Sequence, residues 1–184
     1  YNLPMKLPII TTQRLELKPL NITHAEQIFQ YSSDKETTRY MLYAYNETID
    51  ETKDFLKSAE YQWDLWPSKN QTVFEFGIFL KSTETLIGTI DFELYPDPFT
   101  AEFGWVLNKK YHKQGFASEA GKAILEFAKI NFEIKTFIAH CDKRNIPSFN
   151  LMKKLGMSLV SDDGKRIYPK TGEEAFEIMC KLEL

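Results

Sequence analysis

The chain has 184 residues, 43% of them hydrophobic and 14% aromatic, and 23 lysines and arginines against 26 aspartates and glutamates give a net charge of -3. That length buries a full core without needing a second unit, so residues 1–184 are expected to form a single domain. The slight acidity gives no positive field for a nucleic-acid backbone, and no apolar run approaches the roughly 20 residues of a membrane span, so neither nucleic acid nor membrane is an expected partner.

The opening YNLPMKLPII lacks the apolar core and small-residue cleavage site of a signal peptide, and a cytoplasmic location is expected. TTQRLELKPL alternates Leu15 and Leu17 with charged residues, the period of a half-buried strand. In NITHAEQIFQYSS, Thr23 followed by Glu26 three residues later reads as the N-terminus of a helix. A second helix is expected from Asp50 to about Trp66, with Phe55, Ala59, Trp63 and Trp66 at helical spacing and Pro67 ending it. TVFEFGIFL, TLIGTIDFEL and TAEFGWVLN are β-rich and joined by the turn formers of KSTE and PDPF, which favours an antiparallel meander. A third helix is expected from about Gly115 to Phe132, with Ala117, Ala120, Ile124, Phe127 and Ala128 on one stripe. KTFIAHC then reads as a strand, NIPSFNLMKKLG as a short helix closed by Gly156, and MSLVSD and EAFEIMCKLEL as a closing pair. The order is a mixed α/β fold, an antiparallel meander followed by a strand-helix-strand crossover.

Cys141 and Cys180 lie in apolar strand-like contexts and are expected to be buried free thiols. His24, His112 and His140 stand at no ligand spacing, so no metal site is expected, and they read as ordinary polar residues of a helix surface, a turn and a strand end. Lys69 and the stretch from Lys165 to Lys170 read as solvated loops.

The segment YHKQGFASEA puts Gly115 just before a helix. Glycine there permits a sharp turn and close approach by another molecule, and the first amides of the helix have no partner within it. They carry the positive end of the helix dipole and suit a phosphate, although a tight turn alone would also account for one glycine. The G-x-G-x-x-G and G-x-x-x-x-G-K-[ST] patterns are absent, which removes the usual support for NAD or ATP.

AEFGWVLNKKYHKQGFASEA, followed about 25 residues later by NIPSFNLMKKLGM, resembles the GNAT superfamily of N-acetyltransferases, most closely its ribosomal-protein-alanine N-acetyltransferase branch. TQRLELKPL and LIGTIDF resemble further strands of that branch, so the likeness covers nearly the whole chain. The resemblance implies the GNAT fold, a mostly antiparallel sheet of about seven strands flanked by about four helices. It implies acetyl-CoA as cosubstrate, without metal, and carries the further expectation of a homodimer. The phosphate-binding pattern reads here as His112, Lys113, Gln114, Gly115, Phe116 and Ala117, with the amides of Gln114 to Ser118 on the pyrophosphate. Val106 and Leu107 would face the pantetheine arm where two strands splay, and Asn145 and Ser148 the far side of the cofactor, positions that helix capping with Pro147 also explains. His112 replaces the family's Gln or Arg, Lys113 stands where glycine is common, and Met152 where many members place a tyrosine acid.

Acetyl transfer needs a neutral amine, donors for the oxyanion and a proton for the departing thiolate. An α-amine, with a pKa of about 7.7 to 8.0, loses its proton readily to a carboxylate. Glu102 is the first candidate base, since alternation puts it and Gly104 on the face opposite Phe103 and Trp105; Asp91 and Glu93 follow. A backbone amide near Val106 is the candidate oxyanion donor and Ser148 the candidate acid at the sulfur. Tyr40, Trp63 and Asp91 are expected at the acceptor, with Tyr43, Tyr45 and Trp66 in the same aromatic group, for which core packing is the plainer account. The acceptor is expected to be a protein N-terminus or a small amine such as a polyamine, an aminoglycoside or an amino acid. A non-catalytic acyl-CoA-binding module and a dinucleotide-binding protein are the readings of other classes.

Overall fold

The computed structural model describes residues 5–43 and 45–184. Its strands β1 (Ile10–Thr11), β2 (Leu15–Pro19), β3 (Val73–Leu80), β4 (Leu86–Leu94), β5 (Thr100–Leu107), β6 (Thr136–Asp142), β7 (Ser158–Ile167) and β8 (Glu174–Glu183) form one sheet in the order β1-β2-β3-β4-β5-β6-β8-β7. The count is eight rather than seven because the segment read as one strand splits into β1 and β2 around a turn in which Thr12 N–H donates to Leu15 O. Every neighbouring pair is antiparallel except β5 and β6. Those two run parallel because helix α3 (Phe116–Asn131) carries the chain back to the same end of the sheet.

Side-chain alternation gives the central strands two unlike faces. Phe74 and Phe76 of β3 stand opposite Phe92 and Ile90 of β4, and with Phe103 of β5 they form the apolar face on which α3 packs through Ala120, Ile124 and Ala128. The other face carries Glu75, Asp91, Glu93, Glu102 and Gly104 in register. It is covered only partly, where Leu20, Phe79 and Leu86 meet α1 (Ala25–Ser32) and α2 (Ile49–Asp64). What α1 and α2 leave open becomes the floor of a cleft.

The helix ends correct several expectations. Asn21, not Thr23, caps the first helical segment: its side chain accepts from Thr23 N–H and opens a short 3-10 turn before α1. His24 is half-buried; its Nδ1 accepts from Asn21 N–H and its ring packs edge-on to Phe79. Thr48 and Glu51 form the capping box of α2, and the buried stripe is Thr52, Leu56, Ala59 and Trp63, which leaves Phe55 38% exposed. Helix α4 (Ile146–Lys154) ends as expected at Gly156, whose φ of +87° lets Gly156 and Met157 N–H reach back to Lys153 and Met152 carbonyls. Strand β7 runs on to Ile167, so Arg166 is buried rather than in a solvated loop. Both cysteines are buried and free.

Candidate active site

Strands β5 and β6 pair from Thr100↔Thr136 to Phe103↔Ala139 and no further, although both continue for several residues. Past that point the edge of β5 from Gly104 onward faces a gap instead of a strand. The chain then turns into α3 at Gly115, whose φ of +80° only glycine adopts without strain. Among the described residues the amides of Lys113 to Ser118 have no hydrogen-bond partner, so a row of donors lies at the mouth of the gap. Lys113 is itself left-handed at φ +61°, which explains why glycine suits that position.

Two side chains hold this turn. Arg14 donates from Nη1 to Gln114 O at 2.9 Å, pairs through Nε with Glu119 at 2.8 Å, and lies over the Phe116 ring. Burial works against the charge on Glu119, yet hydrogen bonds from Thr12 and Arg14 hold its carboxyl below the ordinary value. His112 Nε2 lies 2.7 Å from Leu107 O. That bond gives the histidine a structural task in the turn and occupies the carbonyl of Leu107, which leaves Gly104 to Val106 as the open edge.

Across the gap, Asn145 caps α4: its Oδ1 accepts from Ser148 N–H at 3.4 Å and its Nδ2 donates to Ser148 Oγ at 3.0 Å. Ser148 Oγ thus receives a hydrogen bond and keeps its own proton available. Met152 is fully buried in the core, so the position of the family's tyrosine acid has no access to the gap.

The cleft enclosed by these elements measures about 1780 Å³. Glu102 sits on its floor with Oε1 2.7 Å from His140 Nδ1 and Oε2 accepting from Tyr95 Oη at 2.7 Å. Burial raises the Glu102 carboxyl, but the bonds from His140 and Tyr95 outweigh it and the net shift is downward. His140 moves up, chiefly through the same bond to Glu102. On the next strand, burial followed by the charges of Glu93 and Glu102 pushes Asp91 up to about 7. Glu75 is also raised, by burial first and Asp91 second. The Asp91 carboxylate lies directly over Gly104, where a Cβ would collide with its Oδ1.

The fold brings most of the residues singled out from the sequence to this one cleft: Glu102, Asp91, Val106, Leu107, His112, Lys113, Gly115 to Ser118, Asn145 and Ser148 line it. Tyr40 lines its wall, its carbonyl accepting from Arg166 Nη1 at 3.0 Å. Trp63 does not reach it. The indole is 3% exposed, packs on Phe74 and Phe76, and donates Nε1–H to Glu75 O on the far side of β3. Tyr43 lines the rim of the cleft, 86% exposed, and Tyr45 is flanked by Lys35 and Lys170. His140, expected from the sequence to be an ordinary polar residue at a strand end, is instead a partner of Glu102, and Tyr95, Glu75 and the buried Arg166–Glu177 pair at 2.9 Å carry no sequence signal of their own. Once β5 and β6 are set in register, alternation accounts for His140: it stands two residues beyond Ile138, the register partner of Glu102, and so shares the face of Glu102.

Among the described residues no three His, Cys, Asp or Glu side chains converge as metal ligands, and no helix is long and apolar enough to cross a membrane. Residues 14–158 match the family model described as an acetyltransferase (GNAT) domain. The uncharacterized N-acetyltransferase YnaD of Bacillus subtilis (strain 168) is 33% identical over 148 residues, 80% of this chain and 81% of that protein. The crystal structure of a GNAT-family acetyltransferase from Bacillus anthracis superimposes with a TM-score of 0.81 at 27% identity, covering 96% of this chain and 98% of that one. RimL, a ribosomal L7/L12 alpha-N-protein acetyltransferase solved in complex with coenzyme A, gives a TM-score of 0.83 at 17% identity with coverage of 96% and 98%, a likeness of fold.

Proposed function

The chain belongs to the GNAT acetyltransferase family, and from that premise we propose that it transfers the acetyl group of acetyl-CoA directly to a primary amine seated in the acidic cleft. The observation that carries this reading is the junction itself: the gap between β5 and β6 opens at one side onto the free amides before α3 and at the other onto Glu102.

The residues fit the donor. The amides of Gln114 to Ser118 stand at the positive end of α3 and suit the pyrophosphate. The open edge of β5 offers backbone groups to the pantetheine arm, and Lys113 adds positive charge at the mouth. When bound, acetyl-CoA supplies the activated acyl group, and this chain's residues manage position and protons. Glu102 accepts the proton that the amine loses as its nitrogen bonds to the acetyl carbon, directly or through one water. A carboxylate held below its ordinary pKa is a weak base alone; neutral His140 behind it raises the proton affinity of the pair, because a proton arriving there ends in a charged, hydrogen-bonded pair. Ser148 is the candidate to protonate the sulfur as the C–S bond breaks, its own proton being replaced from solvent. Much of the rate is expected from bringing two already reactive groups together.

The cleft also admits the first residues of a peptide, so a protein N-terminus is the second reading of the acceptor. The test is acetyl-CoA-dependent thiol release with peptides beginning in Ala or Ser, diamines, an aminoglycoside and single amino acids. Turnover on at least one is expected, with Glu102→Gln lowering it about a hundredfold and leaving acetyl-CoA affinity nearly intact. Activity of that variant within about threefold of wild type removes Glu102 from the base role. Binding of acetyl-CoA without turnover on any amine marks a binding module instead.

A further inference from the structure

Eight carboxylates line the cleft, and they divide sharply. Glu36, Glu51, Asp54, Glu102 and Glu177 each face a cation, Lys109, Lys170, Lys57, His140 and Arg166 in turn. Among the described residues the side chains of the remaining three, Glu75, Asp91 and Glu93, have neither an ion pair nor a hydrogen bond. Glu75 and Asp91 stand directly opposite one another on β3 and β4, and Glu93 follows two residues along the same face. Glu93 is exposed to solvent, whereas Glu75 and Asp91 are partly shielded, and holding those two charges side by side costs free energy unless something positive joins them.

A second, independent feature points into the same place. Tyr31 of α1 is 2% exposed and lines the cleft; Thr89 lies beside its hydroxyl but stands outside good hydrogen-bond geometry, which leaves the phenol oxygen without a well-formed partner among the described residues. An alkylammonium presents three N–H donors and no acceptor. Two carboxylates and a phenol oxygen on neighbouring elements complement it. The carboxylates do not converge as metal ligands would, which favours an organic cation.

We propose that Glu75, Asp91 and Tyr31 seat a second ammonium group of the acceptor, so that the substrate class is a diamine or polyamine. The inference rests on the acetyl-transfer reading above and specifies its acceptor. One amine lies neutral at the β5–β6 gap near Glu102 while the other, protonated, lies between β3 and β4. Two strand spacings separate these positions, roughly 10 Å, the reach of a diamine with about seven methylenes or of a triamine such as spermidine. A monoamine of equal length leaves Glu75 and Asp91 without a cation.

The experiment compares kcat/KM for 1,7-diaminoheptane and spermidine with that for heptylamine and an Ala-initiated peptide, in wild type, Glu75→Gln and Tyr31→Phe. In wild type the diamine and the triamine are expected to exceed the monoamine by about tenfold or more, the size of a charge-assisted contact. Glu75→Gln is expected to bring that ratio close to one and Tyr31→Phe to lower it a few-fold. Equal rates on diamine and monoamine in wild type, or a preference for the peptide, overturn the inference and leave acetyl transfer standing. A ratio that survives in Glu75→Gln also overturns it. Failure of every amine despite bound acetyl-CoA removes the acetyl-transfer reading and this inference with it. The wild-type comparison needs no variant, so a folding defect in Glu75→Gln does not shield the proposal.

Discussion

The side of the cleft proposed for the donor presents backbone amides from six consecutive residues, Lys113 to Ser118, whereas the side proposed for the acceptor presents side chains from α1, β3, β4, β5 and β6. The first depends on the path of the main chain, and His112 contributes to it through its bond to Leu107 O. The second depends on the chemistry of each side chain and on strand register. Substitutions should therefore divide by kind: backbone-altering changes should weaken the donor side, and changes of charge should redirect the acceptor side.

Gly115→Ala puts the largest strain on that division. Nothing but the Arg14 guanidinium lies within 4 Å of the added Cβ, so the damage comes from the φ of +80° and not from space. A left-handed alanine costs about 1 to 2 kcal/mol, and relief of that strain would turn the free amides away from the pyrophosphate. The dissociation constant for CoA is expected to rise about tenfold by calorimetric titration. Lys113→Ala should change it less and mainly at low salt, since an exposed charge is screened. Equal effects from both would show that side-chain charge, not backbone, holds the donor.

His140→Gln tests the acceptor side through pH. The folded pKa of Glu102 is depressed, so its contribution to stability is present above its ordinary 4.5 and lost as pH falls through the folded value. The folded pKa of His140 is raised, so its contribution is present below its ordinary 6.5 and lost as pH rises through the folded value. The pair therefore stabilises most between roughly 4.5 and 6.5, and His140→Gln should lower Tm most in that window and least near pH 8.5. Wild-type kcat should rise as His140 loses its proton, and the variant should lose that limb several-fold. A pH–rate profile unchanged by the substitution separates His140 from the chemistry.

The same contrast explains what could be read before folding. The turn at Gly115, the helix behind it and the Asn145–Ser148 cap depend on neighbours a few residues away, and local pattern exposes them. Glu102 was visible as a face of one strand. Its partners were not, because His140 reaches it through a parallel pairing that a crossover creates and Tyr95 through a turn between β4 and β5. Trp63 misled for a related reason: a tryptophan on an amphipathic helix suits a pocket wall or a core, and only the packing of α2 against Phe74 and Phe76 decides for the core. The unpaired state of Glu75 and Asp91 emerges only when β3 and β4 are set in register.

Asp91→Asn gives the smallest expected effect and the one that links stability to function. An acid whose folded pKa is raised from 3.8 to about 7 carries no penalty below pH 3.8, where it is protonated in both states. Between 3.8 and 7 the unfolded chain ionises first and the folded state falls behind, so destabilisation grows and reaches its full size above 7. The isosteric amide cannot ionise and removes that penalty. Tm of Asp91→Asn should exceed that of wild type by a few degrees at pH 8 and match it near pH 4. 1,7-Diaminoheptane should raise Tm of wild type at pH 8 by supplying the missing cation, and raise that of Asp91→Asn less, since one of the two facing charges is gone. A variant less stable than wild type at pH 8 would mean that Asp91 already has a stabilising partner, and the acceptor side would then be a structural network like the paired carboxylates around it.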